Sequence, residues 1–98
     1  LPNSVPSIKG LELAAIYRPA DSVGGDFYDF SPISEQELGI IVADVTGHGI
    51  PSALIASMIK ISFRHQRHLA RDPRALLMAM SDEIALPRDR YMPWAISI

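Results

Sequence analysis

The chain has 98 residues, 48% hydrophobic and 20% charged, with a formal net charge of -2 and no cysteine. That balance suits one folded domain or a piece of one and excludes the low-hydrophobicity, high-charge regime of disorder. It gives no electrostatic reason to expect nucleic acid or an anionic membrane surface as partner, and it rules out disulfides, zinc-thiolate centres and thiol catalysis.

No apolar run approaches the roughly 20 residues of a membrane-spanning helix. The longest uncharged stretch, Val45 to Ile59, is broken by Gly47, Gly49 and Pro51. The chain opens on Leu1 rather than Met and carries no basic region followed by an apolar one, so it reads as starting inside a longer protein. A cysteine-free sequence fits a reducing cytoplasm.

In chain order, residues 1–10 are rich in Pro, Ser, Asn and Gly and read as an irregular lead-in. Leu11 to Tyr17 is a short apolar run interrupted by Glu12, expected to form a strand that Pro19 ends. Ala20 to Gly25 is turn-like. Phe27, Tyr28 and Phe30 around Asp29 suggest a second strand, because aromatics suit a pleated surface. Ser31 to Glu37 is polar and reads as a hairpin loop. Leu38 to Val45 is nearly continuous and β-branched, the pattern of a strand buried on both faces.

Thr46-Gly47-His48-Gly49 is a tight connection leading to Pro51, well placed in the first turn of a helix. Ala53, Leu54, Met58, Ile61 and His65 follow at helical spacing, with Ile55, Ile59, Ser62 and Phe63 widening the face, and the helix is expected to reach about Arg71. Asp72-Pro73 reads as an N-cap and first helical position. A second helix is predicted from Pro73 to Ala85, burying Leu76, Leu77, Met80 and Ile84, with Pro87 stopping it. Met92 to Ile98 reads as one more buried strand. Strands grouped before helices argue for a layered α+β arrangement rather than a repeating βαβ fold.

Two segments place an acid beside glycines at a strand end: Gly24-Gly25-Asp26 and Asp44-Val45-Thr46-Gly47-His48-Gly49. Glycine lets the backbone approach a ligand closely, so nearby carboxylates and carbonyls can converge. Hard divalent ions select such oxygen ligands, and two of them can polarise a water and clamp a phosphoryl group. Asp44 follows a strand predicted to be buried, where metal coordination would offset an otherwise costly charge. The bland alternative is that both acids cap turns through backbone amides. His48 reads as an exposed loop residue, since hard-ion sites rarely use imidazole. Asp29 supports the site from behind or faces solvent, and solvent is favoured. The basic stretch Arg64, His65, Arg67, His68 and Arg71 complements a helix dipole, with docking of a phosphoprotein as the minority reading.

As a set, these residues resemble the PPM superfamily of metal-dependent protein phosphatases, in the branch of bacterial stage-II-E-like sporulation and stress-response regulators. The matching pieces are Leu1-Pro2 with Pro6 and Gly10-Leu11-Glu12-Leu13-Ala14, then Tyr17-Arg18-Pro19-Ala20, Val23-Gly24-Gly25-Asp26-Phe27-Tyr28-Asp29, and Ala43-Asp44-Val45-Thr46-Gly47-His48-Gly49 with Pro51-Ser52-Ala53-Leu54. The resemblance implies a β-sandwich core flanked by helices, of which residues 1–98 are the N-terminal part, with a two-metal site holding Mn²⁺ or Mg²⁺. Asp26 matches the first metal-binding acid, Asp44 the acid bridging the two ions, and the Val45 carbonyl a further ligand. A metal-bridged water then attacks phosphorus directly. The implied substrate is phosphoserine or phosphothreonine on a regulatory protein, typically an anti-sigma-factor antagonist, with a sensor or receiver domain upstream in the same chain.

Later strands of that family deliver further aspartates that this sequence does not contain, so weak or absent catalysis is expected from these residues alone. An exposed sheet edge left by the missing strands would favour pairing with a second copy, a homodimer. The rival reading is a non-catalytic module on the same scaffold that binds a regulator or dimerises. A third has the Gly-His-Gly turn binding phosphate, although its spacing matches neither a Walker loop nor a dinucleotide fingerprint.

Overall fold

The computed structural model describes residues 1–18, 25–45, 50–84 and 94–97, the last four and residue 50 as backbone only. Within these residues the chain is a layered α+β structure. Strand β1 (Phe27–Pro32) and strand β2 (Leu38–Ala43) form a hairpin, followed by helix α1 (Ile50–His65), a 3-10 turn (Arg67–Leu69), helix α2 (Pro73–Ile84) and strand β3 (Trp94–Ser97). The sheet is antiparallel throughout, in the order β1-β2-β3. No second sheet is present among the described residues.

Register fixes which side chains the helices cover. Phe27 pairs with Ala43, Asp29 with Ile41 and Ser31 with Gly39, and all six are buried. The alternate pairs, Tyr28 with Val42 and Phe30 with Ile40, point to the opposite face. There Val42 is 58% exposed and the others are half-buried, with Tyr28 and Phe30 in an edge-to-face contact at 5.8 Å. The expected burial of β2 on both faces is therefore corrected: helices cover one face, and β2 alternates like any half-buried strand. The hairpin turn also starts later than expected, with Ser31 and Pro32 inside β1. It closes through Ile33 N–H donating to the Glu37 carbonyl at 3.0 Å.

The strand expected over Leu11–Tyr17 does not form. Gly10 sits at φ 83° and turns the chain so that Leu11 N–H donates back to the Ile8 carbonyl at 3.1 Å, after which residues 12–18 follow an irregular path. An apolar run becomes a strand only when a neighbour satisfies its backbone, and none does so among the described residues.

Helix α1 ends at His65 rather than near Arg71, its run passing into the 3-10 turn. Its buried face is also rotated from the expected one. Ser52, Ala56, Ile59, Ser62 and Phe63 pack inward, whereas Leu54 and Ile61 are 61% and 67% exposed. Both stripes have helical spacing, so periodicity alone does not choose between them. Small Ser52 and Ala56 allow the helix to lie close on the strands, while Phe63 fills the wider end. The core joins Ile41, Ala43 and Val45 to Ile59 and Phe63 of α1 and to Leu76, Met80 and Ile84 of α2. Full burial of Ile59 alone contributes about 1.5–3 kcal/mol.

Helix α2 starts as expected. The Asp72 carboxylate accepts from Ala75 N–H at 3.2 Å, an N-cap that satisfies one of the orphan donors of the first turn. Leu76, Met80 and Ile84 are buried, and Leu77 is half-buried. The strand expected over Met92–Ile98 appears as β3, antiparallel to β2. No described helix is long and apolar enough to cross a membrane.

Candidate metal-binding site

The hairpin register decides where the two acids meet. Phe27 pairs with Ala43, so the next step along the ladder sets Asp26 opposite Asp44, and the one after sets Gly25 opposite Val45. The ladder does continue that far: Val45 N–H donates to the Gly25 carbonyl at 3.4 Å. Residues opposite one another in an antiparallel pair project to the same side with Cβ atoms about 5 Å apart. Asp26 and Asp44, eighteen positions apart in sequence, are thereby placed face to face at one end of the sheet. Both are exposed.

The electrostatics follow from that placement. A hydrogen bond with Asp44 is the chief cause that raises the Asp26 carboxyl above its ordinary value, with partial desolvation and the charge of Asp44 adding to it. A carboxyl this close to a second acid is harder to ionise. A cation between them removes the conflict.

Gly25 is needed for a packing reason. A Cβ there would stand 2.9 Å from Val45 Cβ, 3.0 Å from the Val45 carbonyl oxygen and 3.1 Å from Ser52 Cβ. The close approach brings the end of β2 and the first turn of α1 against the residue preceding Asp26. On the other side, the Tyr17 hydroxyl donates to the Asp26 carbonyl at 2.9 Å and fixes the irregular N-terminal segment beside the site.

The donor set fits a hard divalent ion. It comprises two carboxylates and, one residue on, the Val45 carbonyl, all oxygen and without sulfur or imidazole. Among the described residues no third His, Asp or Glu joins them in a cluster. Beside Asp26 opens a concavity of about 250 Å³ whose walls include Phe27, Ala53, Ala56, Ser57 and Lys60. Lys60 therefore brings a cationic side chain to the wall of the cavity that Asp26 lines.

Asp29 requires a correction. It does not face solvent: it is 2% exposed, its Oδ1 accepting from Phe30 N–H at 2.9 Å and its Oδ2 from Arg64 Nε at 3.1 Å. The pleat puts it on the helix-facing side with Phe27, and a carboxylate there needs a partner. The basic stretch is likewise more than a helix-end effect. Arg64 holds Asp29, His65 Nδ1 lies 2.5 Å from Glu83 of α2, and Arg71 grips Glu37 of the hairpin turn. Arg67 and His68 line a shallow basic concavity of about 260 Å³ with Ser31 to Ile33 at the far end of β1. Gly24, Thr46, Gly47, His48 and Gly49 lie outside the described residues.

Sequence reasoning singled out Asp26, Asp44 and Gly25 but gave no site role to Tyr17, Ser52 or Lys60. For Lys60 a signal existed, since it lies seven residues after Ala53 and so on the same side of α1. Nothing local marks Tyr17.

The profile of the family described as Stage II sporulation protein E (SpoIIE) matches residues 34–94, which include Asp44. The chain is 43% identical over 60 residues to "Phosphoserine phosphatase RsbU" of Bacillus subtilis (strain 168), covering 61% of this chain and 18% of that protein. It is 38% identical over 56 residues to "Phosphoserine phosphatase RsbP" of the same organism, covering 57% and 14%. It is 33% identical over 64 residues to "Protein IcfG" of Synechocystis sp. (strain ATCC 27184 / PCC 6803 / Kazusa), covering 65% and 10%. The chain thus spans less than a fifth of the length of each of these relatives. No solved structure matches it significantly.

Proposed function

Since the chain belongs to the stage II sporulation protein E family, we propose that Asp26 and Asp44 are metal-binding acids of a phosphatase that hydrolyses phosphoserine or phosphothreonine on a regulatory protein. The observation that carries this reading is the face-to-face pairing of two exposed carboxyls, one raised by the other, at the end of a register-locked hairpin. The names of two relatives, both phosphoserine phosphatases, favour phosphoserine as the substrate group.

Mn²⁺ or Mg²⁺ ions bound there would supply a polarised water and a clamp for the phosphoryl oxygens. This chain's own residues then have distinct tasks. Asp26 and Asp44 present opposed anionic oxygens, and a cation between them relieves their mutual repulsion. The Val45 carbonyl adds a neutral oxygen donor. Lys60, on the wall of the adjoining concavity, suits the dianion of a phosphate monoester. We place the reaction in the cytoplasm, on an antagonist of the partner-switching kind, with a sensor or receiver domain in the same protein as its regulator.

The test is phosphate release from a phosphoserine protein by the full-length enzyme in Mn²⁺, comparing wild type with Asp26→Asn and Asp44→Asn. The reading predicts turnover in wild type and background rates in both variants. A wild type that binds Mn²⁺ yet leaves every phosphoserine substrate intact would sink the enzymatic reading in favour of a regulator-binding module.

A further inference from the structure

Helix α1 meets the strand segment that carries Asp26 at two places. At its first turn, Ser52 Cβ would stand 3.1 Å from a Cβ on Gly25. In its last turn, Arg64 donates through Nε to Asp29 Oδ2 at 3.1 Å. The two contacts are twelve residues apart on the helix, about 18 Å, and four apart on the strand, about 13 Å. The helix therefore runs alongside β1 and grips it on either side of Asp26.

The grips differ in kind. Ser52 against Gly25 is a contact of small groups, and the inward face beyond it carries Ala56, Ile59, Ser62 and Phe63, all buried. These apolar contacts hold the helix to the sheet without direction, whereas a charge-assisted hydrogen bond adds a fixed geometry. The Arg64–Asp29 pair is directional. Asp29 is itself held, because its other oxygen accepts from Phe30 N–H at 2.9 Å. Arg64 is the one described charged side chain of α1 that is ion-paired to the sheet. Its side chain is 62% exposed, so it reaches the buried carboxylate from the rim.

We propose that Asp29 and Arg64 are a positioning pair for the metal site: they fix the axial position of α1, and α1 in turn holds Gly25 and Asp26 in register with Asp44. This rests on the reading of Asp26 and Asp44 as metal ligands. Neither Asp29 nor Arg64 touches the ion. Losing the pair frees α1 to shift, relaxes the contact at Gly25 and widens the spread of Asp26–Asp44 separations. The expected signature is weaker metal affinity in a protein that remains folded.

The experiment is Mn²⁺ titration calorimetry on the full-length protein, with melting followed in parallel. Asp29→Asn and Arg64→Gln should each weaken Mn²⁺ binding roughly tenfold, the range found when groups that orient metal ligands are removed. The double variant should bind no worse than the weaker single one, since either change breaks the same contact. Arg64→Lys keeps a cation over Asp29 and should recover part of the loss; if the other two variants fail to fold, it decides alone, a weaker affinity than wild type supporting the proposal. Arg71→Gln breaks a comparable pair, Arg71 with Glu37, and should leave Mn²⁺ affinity unchanged. Wild-type affinity in the folded Asp29 and Arg64 variants, with binding abolished in Asp44→Ala, overturns the positioning role and leaves the phosphatase reading standing. No Mn²⁺ binding by wild type removes both.

Discussion

Replacing Gly25 with alanine tests whether three elements are pressed together at the site. The added Cβ would stand 2.9 Å from Val45 Cβ, 3.0 Å from Val45 O and 3.1 Å from Ser52 Cβ. Carbon pairs rest at about 3.5–4.0 Å, so the two carbon contacts are short by several tenths of an ångström or more. Relief is not local. Val45 is buried at the end of β2 and bonded back to the Gly25 carbonyl, and Ser52 is a buried residue in the first turn of α1. Overpacking of this kind costs about 1–3 kcal/mol. Alanine also restricts the unfolded chain, which returns roughly 0.4–1 kcal/mol. A net loss of about 1–2 kcal/mol remains, a fall of at least about 4 °C in the melting transition of a domain this size. Because the residue that moves precedes Asp26, Mn²⁺ affinity should fall as well. Thermal denaturation followed by circular dichroism, with Mn²⁺ titration, reads both. An alanine variant with unchanged melting and unchanged metal affinity would show that Gly25 is not under compression and would refute the packing argument.

Other expectations follow from the same contacts. Phe63→Ala should cost about 3–5 kcal/mol in chemical denaturation because Phe63 is fully buried, whereas Ile61→Ser on the exposed stripe should stay within about 0.5 kcal/mol of wild type. Asp26→Asn should raise the melting temperature of the metal-free protein at pH 7 while abolishing its stabilisation by Mn²⁺. A carboxyl raised by Asp44 favours the folded state when protonated and loses that contribution as pH rises through its folded value. The advantage of Asp26→Asn should therefore shrink on acidification, and an advantage that grows instead would contradict a carboxyl raised by Asp44. Glu83 behaves in the opposite sense. Ser62 first, then His65 and Gln66, hold it below its ordinary 4.5, so its contribution is present above that value and lost as pH falls further. The Ser62 Oγ makes no well-formed hydrogen bond, so its influence is that of a neighbouring dipole. Glu83→Gln should flatten the acid limb of the stability profile, and an unchanged limb would mean the cluster does not hold α2 to α1.

Much of this arrangement can be read from residues alone, and where it cannot, the obstacle is specific. Leu38 to Val45 announces a strand because its run is apolar and rich in β-branched residues, and Asp72-Pro73 announces a helix start because each residue has a defined task there. Asp26 and Asp44 were legible as acids beside glycines, but their opposition depends on a hairpin register that no local pattern states. The inward face of α1 was misread because Leu54, Met58 and Ile61 form as good a helical stripe as Ala56, Ile59 and Phe63. The choice belongs to the sheet, whose inner surface admits small residues near Gly25 and an aromatic further along. Asp29 was misread for a related reason. Its charge argued for water, while its position two residues from Phe27 put it on the same buried side, where Phe30 N–H and Arg64, thirty-five positions later, make the charge tolerable. Leu11 to Tyr17 has the composition of a strand, yet Gly10 turns the chain away and leaves Tyr17 to serve as a strut for the Asp26 backbone.

The central claim is that Asp26 and Asp44 act together on one metal site, and Mn²⁺ titration calorimetry of the full-length protein with Asp26→Asn, Asp44→Asn and the double variant tests it most directly. The account predicts that each single change abolishes or severely weakens binding and that the double change adds little, because the two carboxyls serve the same ion. Wild-type affinity in both single variants would contradict it and return the two acids to the role of turn caps.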